Sequence, residues 1–297
     1  MWIFLGLISC LFLGFYDVAK KLSLKDNAVI PVLFFASATG AVLFMPIIAL
    51  SNLGLITESS LFFVPTVSMT VHGLIFLKSI LVGSSWIFAY YALHHLPLTI
   101  VTPIRATGPV WTLLGALIIY HEVYNGWQWA GITVVFISFY LFSVAGNSEG
   151  IVFRNNRWIL FMVIATLLGS ASTLYDKYLI SNYPRMAVQA WFSVYMIPVF
   201  LPFLLFLWYP KRKTSTLFTW RWTIPVIGIL LTIADFAYFY ALFNPDALIT
   251  ILSLLRRTSV IISFAAGAII FKETNLKRKG LALLGILAGV LLIVFGS

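Results

Sequence analysis

The chain has 297 residues, 61% of them hydrophobic and only 9% charged, with a net charge of +10. Soluble domains carry roughly 25% charged residues, so this composition excludes a water-facing surface of the usual kind, whereas folding in lipid removes the demand for one. The basic excess lies mostly in short segments between apolar runs, which excludes a contiguous nucleic-acid surface and fits loops at a membrane face.

A spanning helix needs roughly 20 apolar residues. On that measure the predicted spans are 2–21, 30–50, 71–93, 98–120, 127–145, 157–178, 187–209, 223–243, 247–271 and 278–296. The first run lacks a basic start and a small-residue cleavage site, so it reads as a span and not as a signal peptide. The runs are about twice the length of a spanning strand and do not alternate apolar with polar. Helices also satisfy their backbone groups internally, as lipid requires. The third and fourth spans, and the eighth and ninth, form tight hairpins broken by Pro97 and Pro245. Asn125 and Asn275 are placed to cap the fifth and tenth helices. Trp127, Trp129, Trp158, Trp208, Tyr209, Trp220 and Trp222 gather near predicted ends as an aromatic belt.

An internal repeat sets the architecture. Tyr16-Asp17 matches Tyr175-Asp176 near the start of each half. Phe88-Ala89-Tyr90-Tyr91-Ala92-Leu93 resembles Ala237-Tyr238-Phe239-Tyr240-Ala241-Leu242. Arg105-Ala106-Thr107 matches Arg256-Arg257-Thr258, and 17 residues separate Arg105 from Glu122 and Arg256 from Glu273. Each half holds five helices, so the second enters the membrane from the opposite side. The expected fold is therefore an all-α integral membrane protein of ten transmembrane helices in two inverted five-helix repeats, 1–146 and 157–297. The substrate site of such a fold lies near mid-membrane at the repeat interface.

Charge gives orientation and site candidates. Loops after odd-numbered helices, with the adjoining helix ends, hold 13 Lys and Arg residues; loops after even-numbered helices hold only Lys177 and Arg185. The positive-inside bias puts the odd loops in the cytoplasm and both termini outside. Lys78, Arg105, Arg256 and Arg257 fall within spans, as do the acids Asp17, Asp176 and Asp235. Ionisable groups at depth mark a substrate path or a buried pair. Arginine stays charged and binds carboxylate or phosphate through two parallel hydrogen bonds. Arg105, Arg256 and Arg257 are therefore the substrate-binding candidates, with Tyr90, Tyr240 and Trp86 as cavity aromatics. Arg256 and Arg257 point about 100° apart on a helix, so one can face a cavity while the other pairs with Asp235. Asp17, Asp176, Asp235 and Lys78 are gate or coupling candidates. The blander reading of Asp17 and Asp176 is pairing with Lys20 and Lys177, and that of Lys78 is snorkelling or a structural pair. Glu122 and Glu273 are expected to bond the first turn of the next helix, where negative charge is favoured.

Cys10 is the single cysteine, which excludes an internal disulfide. His72, His94, His95 and His121 lie near helix ends and form no cluster with metal-ligand spacing. No phosphate-binding loop is present, so no cofactor, no metal and no direct ATP hydrolysis are expected. Tyr-Asp on a membrane helix also suits an aspartyl intramembrane protease, but the Gly-x-Gly-Asp partner is missing. The chain is thus not expected to be an enzyme.

The endings Leu117-Ile118-Ile119-Tyr120-His121-Glu122 and Ile269-Ile270-Phe271-Lys272-Glu273, with the order of the other matches, resemble EamA-type members of the drug/metabolite transporter superfamily. His121 and Lys272 stand where that pattern usually has Gly. The resemblance covers essentially the whole chain. It implies a central cavity surrounded by helices one, three, four, six, eight and nine. It implies substrates such as amino acids, nucleotide sugars, phosphorylated metabolites or drugs. Arg256-Arg257 resembles the adjacent Lys-Arg pair that holds phosphate in plastid phosphate translocators of the superfamily. Members usually have both termini in the cytoplasm, against the charge split here. The resulting expectation is an exporter or exchanger of a small anionic or zwitterionic metabolite, working by alternating access in a bacterial inner (plasma) membrane. A flippase for a lipid-linked anion is the alternative. The expected partners are that small molecule and the lipid bilayer, with a homodimer left open and no nucleic acid.

Overall fold

A computed structural model describes residues 1–95, 104–105, 107–144, 156–214, 216–259, 261–262, 265 and 276–296. Among these the chain forms ten α-helices and no strand. They are α1 (Trp2–Leu24), α2 (Val29–Asn52), α3 (Met69–His95), α4 (Gly108–Ile119) and α5 (Gly126–Val144), then α6 (Arg157–Asn182), α7 (Arg185–Pro202), α8 (Thr223–Leu242), α9 (Ile249–Arg257) and α10 (Leu276–Phe295). Six helices are long and apolar enough to cross a membrane: α1, α2, α3, α6, α8, and α7 with its extension to Lys211. Their outward faces are apolar, as are those of the other helices: Phe4, Val42, Ile118, Phe206 and Leu281 are each more than 60% exposed. Contiguous apolar exposure on this scale marks a surface that lipid covers.

Local chemistry explains most boundaries. Asn125 Oδ1 accepts from Gln128 N at 2.9 Å while Asn125 N donates to Gln128 Oε1 at 3.0 Å, a reciprocal cap on α5. Asn156 caps α6 by accepting from Trp158 N at 2.9 Å. Asn275 lies outside the described residues. Pro198 and Pro202 sit in α7, and a π-helical turn, Phe203–Trp208, follows them. Pro202 has no N–H to bond the carbonyl four residues back, and the wider turn is one relaxation open to the backbone.

Two predicted spans are interrupted where the sequence suggests one continuous helix. In the ninth, expected over 247–271, the helix α9 stops at Arg257, Thr258 and Ser259 form a turn, and Ile261, Ile262 and Ala265 are helical again. The fourth, expected over 98–120, starts its main helix at Gly108 with Thr107 as N-cap. Pro109 fits this start, because the first helical turn needs no donor there. Hydropathy detects neither break, since a turn among apolar residues leaves the apolar run intact.

Packing runs mainly between helices from different halves of the chain. α1 lies along α8, α3 along α6, α2 along α7 and α5 along α10. α2 also meets α8 and α3 meets α7; α4 packs on α6, α9 on α1, and α4 and α9 cross. α9 is interior, with every residue from Ile249 to Leu255 buried. Lipid offers little hydrophobic drive for helix association, so close backbone approach matters. The α5–α10 contact is the clearest case: a Cβ on Gly131 would fall 2.6 Å from Gly289 O, and one on Gly289 2.9 Å from Gly131 O. Gly131→Val is expected to destabilise the protein by about 1–3 kcal/mol through overpacking, read as a lowered melting temperature in detergent. Gly73→Ala, whose Cβ meets nothing within 4 Å, is expected to leave melting unchanged or raise it.

Candidate functional site

Among the described residues the helices line a polar cavity of about 250 Å³. α1, α3, α6, α8 and α9 line it, with Arg105 just before α4 and Phe192 from α7. Of the helices that the family resemblance implies, α4 itself contributes no residue, only Arg105 ahead of it, and Phe192 of α7 is an addition. Five cations (Lys20, Lys78, Arg105, Arg256, Arg257) and three carboxylates (Asp17, Asp176, Asp235) share its wall. A buried charge without a partner costs several kcal/mol, so the pairing of these eight groups decides what the cavity can hold.

Three pairs form. Lys78, 2% exposed, bonds Asp176 and links α3 to α6. Its ammonium lies 4.3 Å from the Phe192 ring centre and 4.6 Å from that of Phe239. Lys78 is therefore a buried structural partner and does not snorkel. Arg256 bonds Asp235 at 2.8 Å and covers the Tyr238 ring at 4.1 Å. Lys20 and Asp17 lie 3.5 Å apart, one turn apart on α1. Arg105 and Arg257 have no ion-pair partner among the described residues. Of the two neighbouring arginines, Arg256 is thus the paired one.

Both arginine segments sit at helix breaks of the same construction. Thr107 Oγ1 donates to Ile104 O at 2.7 Å, and Thr258 Oγ1 donates to Leu255 O at 2.6 Å. Each threonine N–H also bonds the carbonyl three residues back at 3.1 Å, and each threonine carbonyl accepts from the N–H three residues on at 2.9 Å. A threonine hydroxyl competing for helix carbonyls bends or ends the helix. The matched threonines of the sequence repeat therefore mark the breaks, and the matched arginines, Arg105 and Arg256, sit two residues before them. Arg256 and Arg257 occupy the last turn of α9, where the carbonyl end of the helix favours cations. The Arg257 guanidinium lies against Gly108, with Nη2 3.6 Å from where a Cβ would stand, so the two breaks adjoin. Ser170 Oγ donates to Gly108 O at 2.9 Å and ties α6 to the same point.

The other candidates divide. Trp86, Asp17, Asp176, Asp235 and Lys78 line the cavity. Tyr240 does not: it lies beneath the Arg185 guanidinium at 4.4 Å and beside Phe236. Tyr238 faces the cavity in its place, because two residues along a helix turn the side chain by about 200°. The Tyr238 hydroxyl is buried with no hydrogen-bond partner among the described residues. The side chain of Tyr90 lies outside the described residues. Asp176 bonds Lys78 rather than Lys177, since adjacent residues on α6 face different neighbours.

Lys177 instead reaches Glu122, and so corrects the reading of that residue. Glu122 does not bond the first turn of the next helix, α5. It accepts from Lys177, from the Tyr124 hydroxyl and, at 2.8 Å, from Ile249 N in the first turn of α9. Burial, and then the Glu122 carboxylate, hold the Tyr124 phenol well above its ordinary pKa, so it remains a donor. Glu273 lies outside the described residues. Among the described residues no three His, Cys, Asp or Glu side chains could hold a metal ion.

The EamA-like transporter family matches the chain twice, over residues 1–144 and 156–295. A solved crystal structure of a protein superposes with a TM-score of 0.72 at 15% sequence identity, covering 98% of this chain and 96% of that one. At this identity the likeness is one of fold. No curated protein sequence matches.

The Lys78–Asp176 pair yields a test of the cavity's frame. Lys78→Met strands a buried carboxylate and is expected to cost about 3–5 kcal/mol. Adding Asp176→Leu should recover most of that loss. Unfolding in detergent, followed by tryptophan fluorescence, measures both; a double variant no better than the single would contradict the pairing.

Proposed function

The chain belongs to the EamA-like transporter family, within the drug/metabolite transporter superfamily, and from that premise we propose that it is a secondary transporter of a small anionic or zwitterionic metabolite. It is an integral membrane protein by family and by its apolar helices. Residence in a bacterial inner membrane, with the basic loops in the cytoplasm, accords with the charge split in the loops.

Two inverted five-helix repeats, 1–146 and 157–297, account for the packing. Replacing each helix by the one five places along turns α1·α8 into α6·α3, α2·α8 into α7·α3 and α4·α6 into α9·α1. The pairs α2·α7, α4·α9 and α5·α10 map onto themselves. All are observed contacts, and the family matches each half separately. Such halves can rock about a mid-membrane site to give alternating access.

One observation carries the substrate class: Arg105 and Arg257 line the cavity at adjoining helix breaks without an ion-pair partner among the described residues. An anionic group between them would meet two guanidinium groups that no carboxylate already neutralises among the described residues, and the guanidinium fork suits carboxylate or phosphate. Arg256 is committed to Asp235 and orients that wall. Trp86 and Tyr238 supply apolar faces for the rest of the molecule.

The test is a thermal-shift screen of purified protein with carboxylates, phosphorylated sugars, nucleotide sugars and neutral controls, since a ligand of the folded state raises its melting temperature by mass action. Anions should stabilise the protein. Arg105→Gln and Arg257→Gln should each weaken their apparent affinity about 10–100-fold, as expected for a lost charged hydrogen bond, without lowering the melting temperature of the unliganded protein. Stabilisation by neutral or cationic ligands alone, unchanged in both variants, would make the arginines structural.

A further inference from the structure

α9 is nine residues long and buried from Ile249 to Leu255. Its N-terminal N–H groups therefore have no water to bond, and an unmatched helix start is costly in such a place. Glu122 meets that need from the other half of the chain. Its carboxylate, 7% exposed, accepts from Ile249 N and joins three more groups: Lys177 on α6, the Tyr124 hydroxyl and, through that hydroxyl, Thr250 Oγ1 at 2.8 Å. Lys177 also donates to Ala247 O at 3.2 Å, just before α9. Beside it, the Tyr120 hydroxyl donates to Leu174 O of α6 at 2.6 Å.

All these bonds lie at the face where α4 and α6 end and α9 begins. They run between the α4–α5 connection and helices of the second half. The cavity stops short of them: Glu122, Tyr124, Lys177 and Thr250 do not line it, and the buried Lys78–Asp176 pair stands at that end of its wall. Glu122, Tyr124, Ile249 and Thr250 are themselves buried, so this end is closed in the structure. Access from that face requires α4 and its connection to part from α6 and α9, and every such movement breaks bonds to the one carboxylate.

We propose that Glu122 is the hub of the gate at this face, closing the cavity by bridging Lys177 of α6 to the start of α9. The proposal rests on the transport reading above. In that role Glu122 also anchors the helix whose far end carries Arg256 and Arg257. A closed gate of this kind is held by charge-assisted hydrogen bonds, so loss of the charge shifts the population towards the form open at this face.

The experiment uses Cys10→Ser protein in lipid vesicles with Thr173→Cys as a reporter in the cavity wall. A membrane-impermeant maleimide is applied from the gated face. Glu122→Gln is expected to raise the labelling rate about 10–100-fold, the shift that follows from losing a charged hydrogen bond. Tyr124→Phe keeps the charge and removes one donor; it should act in the same direction with a smaller effect, and it serves if Glu122→Gln does not fold. Unchanged labelling in either variant, with a cooperative melt showing that it is folded, overturns the gate. Labelling needs no ligand, so a failure here leaves the anion-binding result standing, and a failed ligand screen leaves the gate result standing.

Discussion

The ion pair between Lys78 and Asp176 joins α3 to α6 in the interior of the bundle, and the cavity's geometry follows from it. Two helices from different halves are pinned by charges that are both largely buried. The neighbouring pair, Arg256 with Asp235, does the same for α9 and α8. Once these acids are engaged, and Asp17 is shared with Lys20 on its own helix, no carboxylate of the cavity wall pairs with Arg105 or Arg257. The anion preference proposed for the cavity thus comes from the arrangement of all eight charges rather than from any one arginine.

Helix interruption brings those charges together. A continuous span at α4 or α9 would carry its backbone past the cavity fully bonded. The threonine turns at Thr107 and Thr258 stop each helix beside its arginine. They also shorten α9 until its two ends have separate roles, with Glu122 at its start and Arg256 and Arg257 at its finish. Gly108 keeps the second break close to the first, because the Arg257 guanidinium lies directly against it.

The two cations that depart from the loop charge split both have partners. Lys177 is held by Glu122, and Arg185 packs over Phe236 and Tyr240. Neither is a free surface charge, so neither counts strongly against the orientation that the other loops indicate. On the opposite face, Asn27 accepts from Thr219 N at 2.9 Å and donates to Thr219 O at 2.8 Å, which ties the α1–α2 loop to the approach to α8. Arg221 adds a bond to Leu22 O at 2.6 Å. These ties hold α1 beside α8 without crossing the cavity.

The sequence by itself determined the membrane character, the all-helical build, the family resemblance and the residue types that meet in the cavity. Each of these rests on local quantities: apolar run length, charge position and the order of Arg, Thr and Glu along the chain. It did not determine which partner each charge takes. Asp176 bonds Lys78 and leaves Lys177 to Glu122, Tyr238 and not Tyr240 faces the cavity, and Glu122 caps α9 rather than α5. Those outcomes depend on rotation about a helix axis and on contacts between residues as far apart as Glu122 and Ile249, and no local pattern encodes them. Only the packed bundle chooses among several chemically equivalent partners, because in a low-dielectric interior the choice falls on whichever charge the neighbouring helix brings within bonding distance.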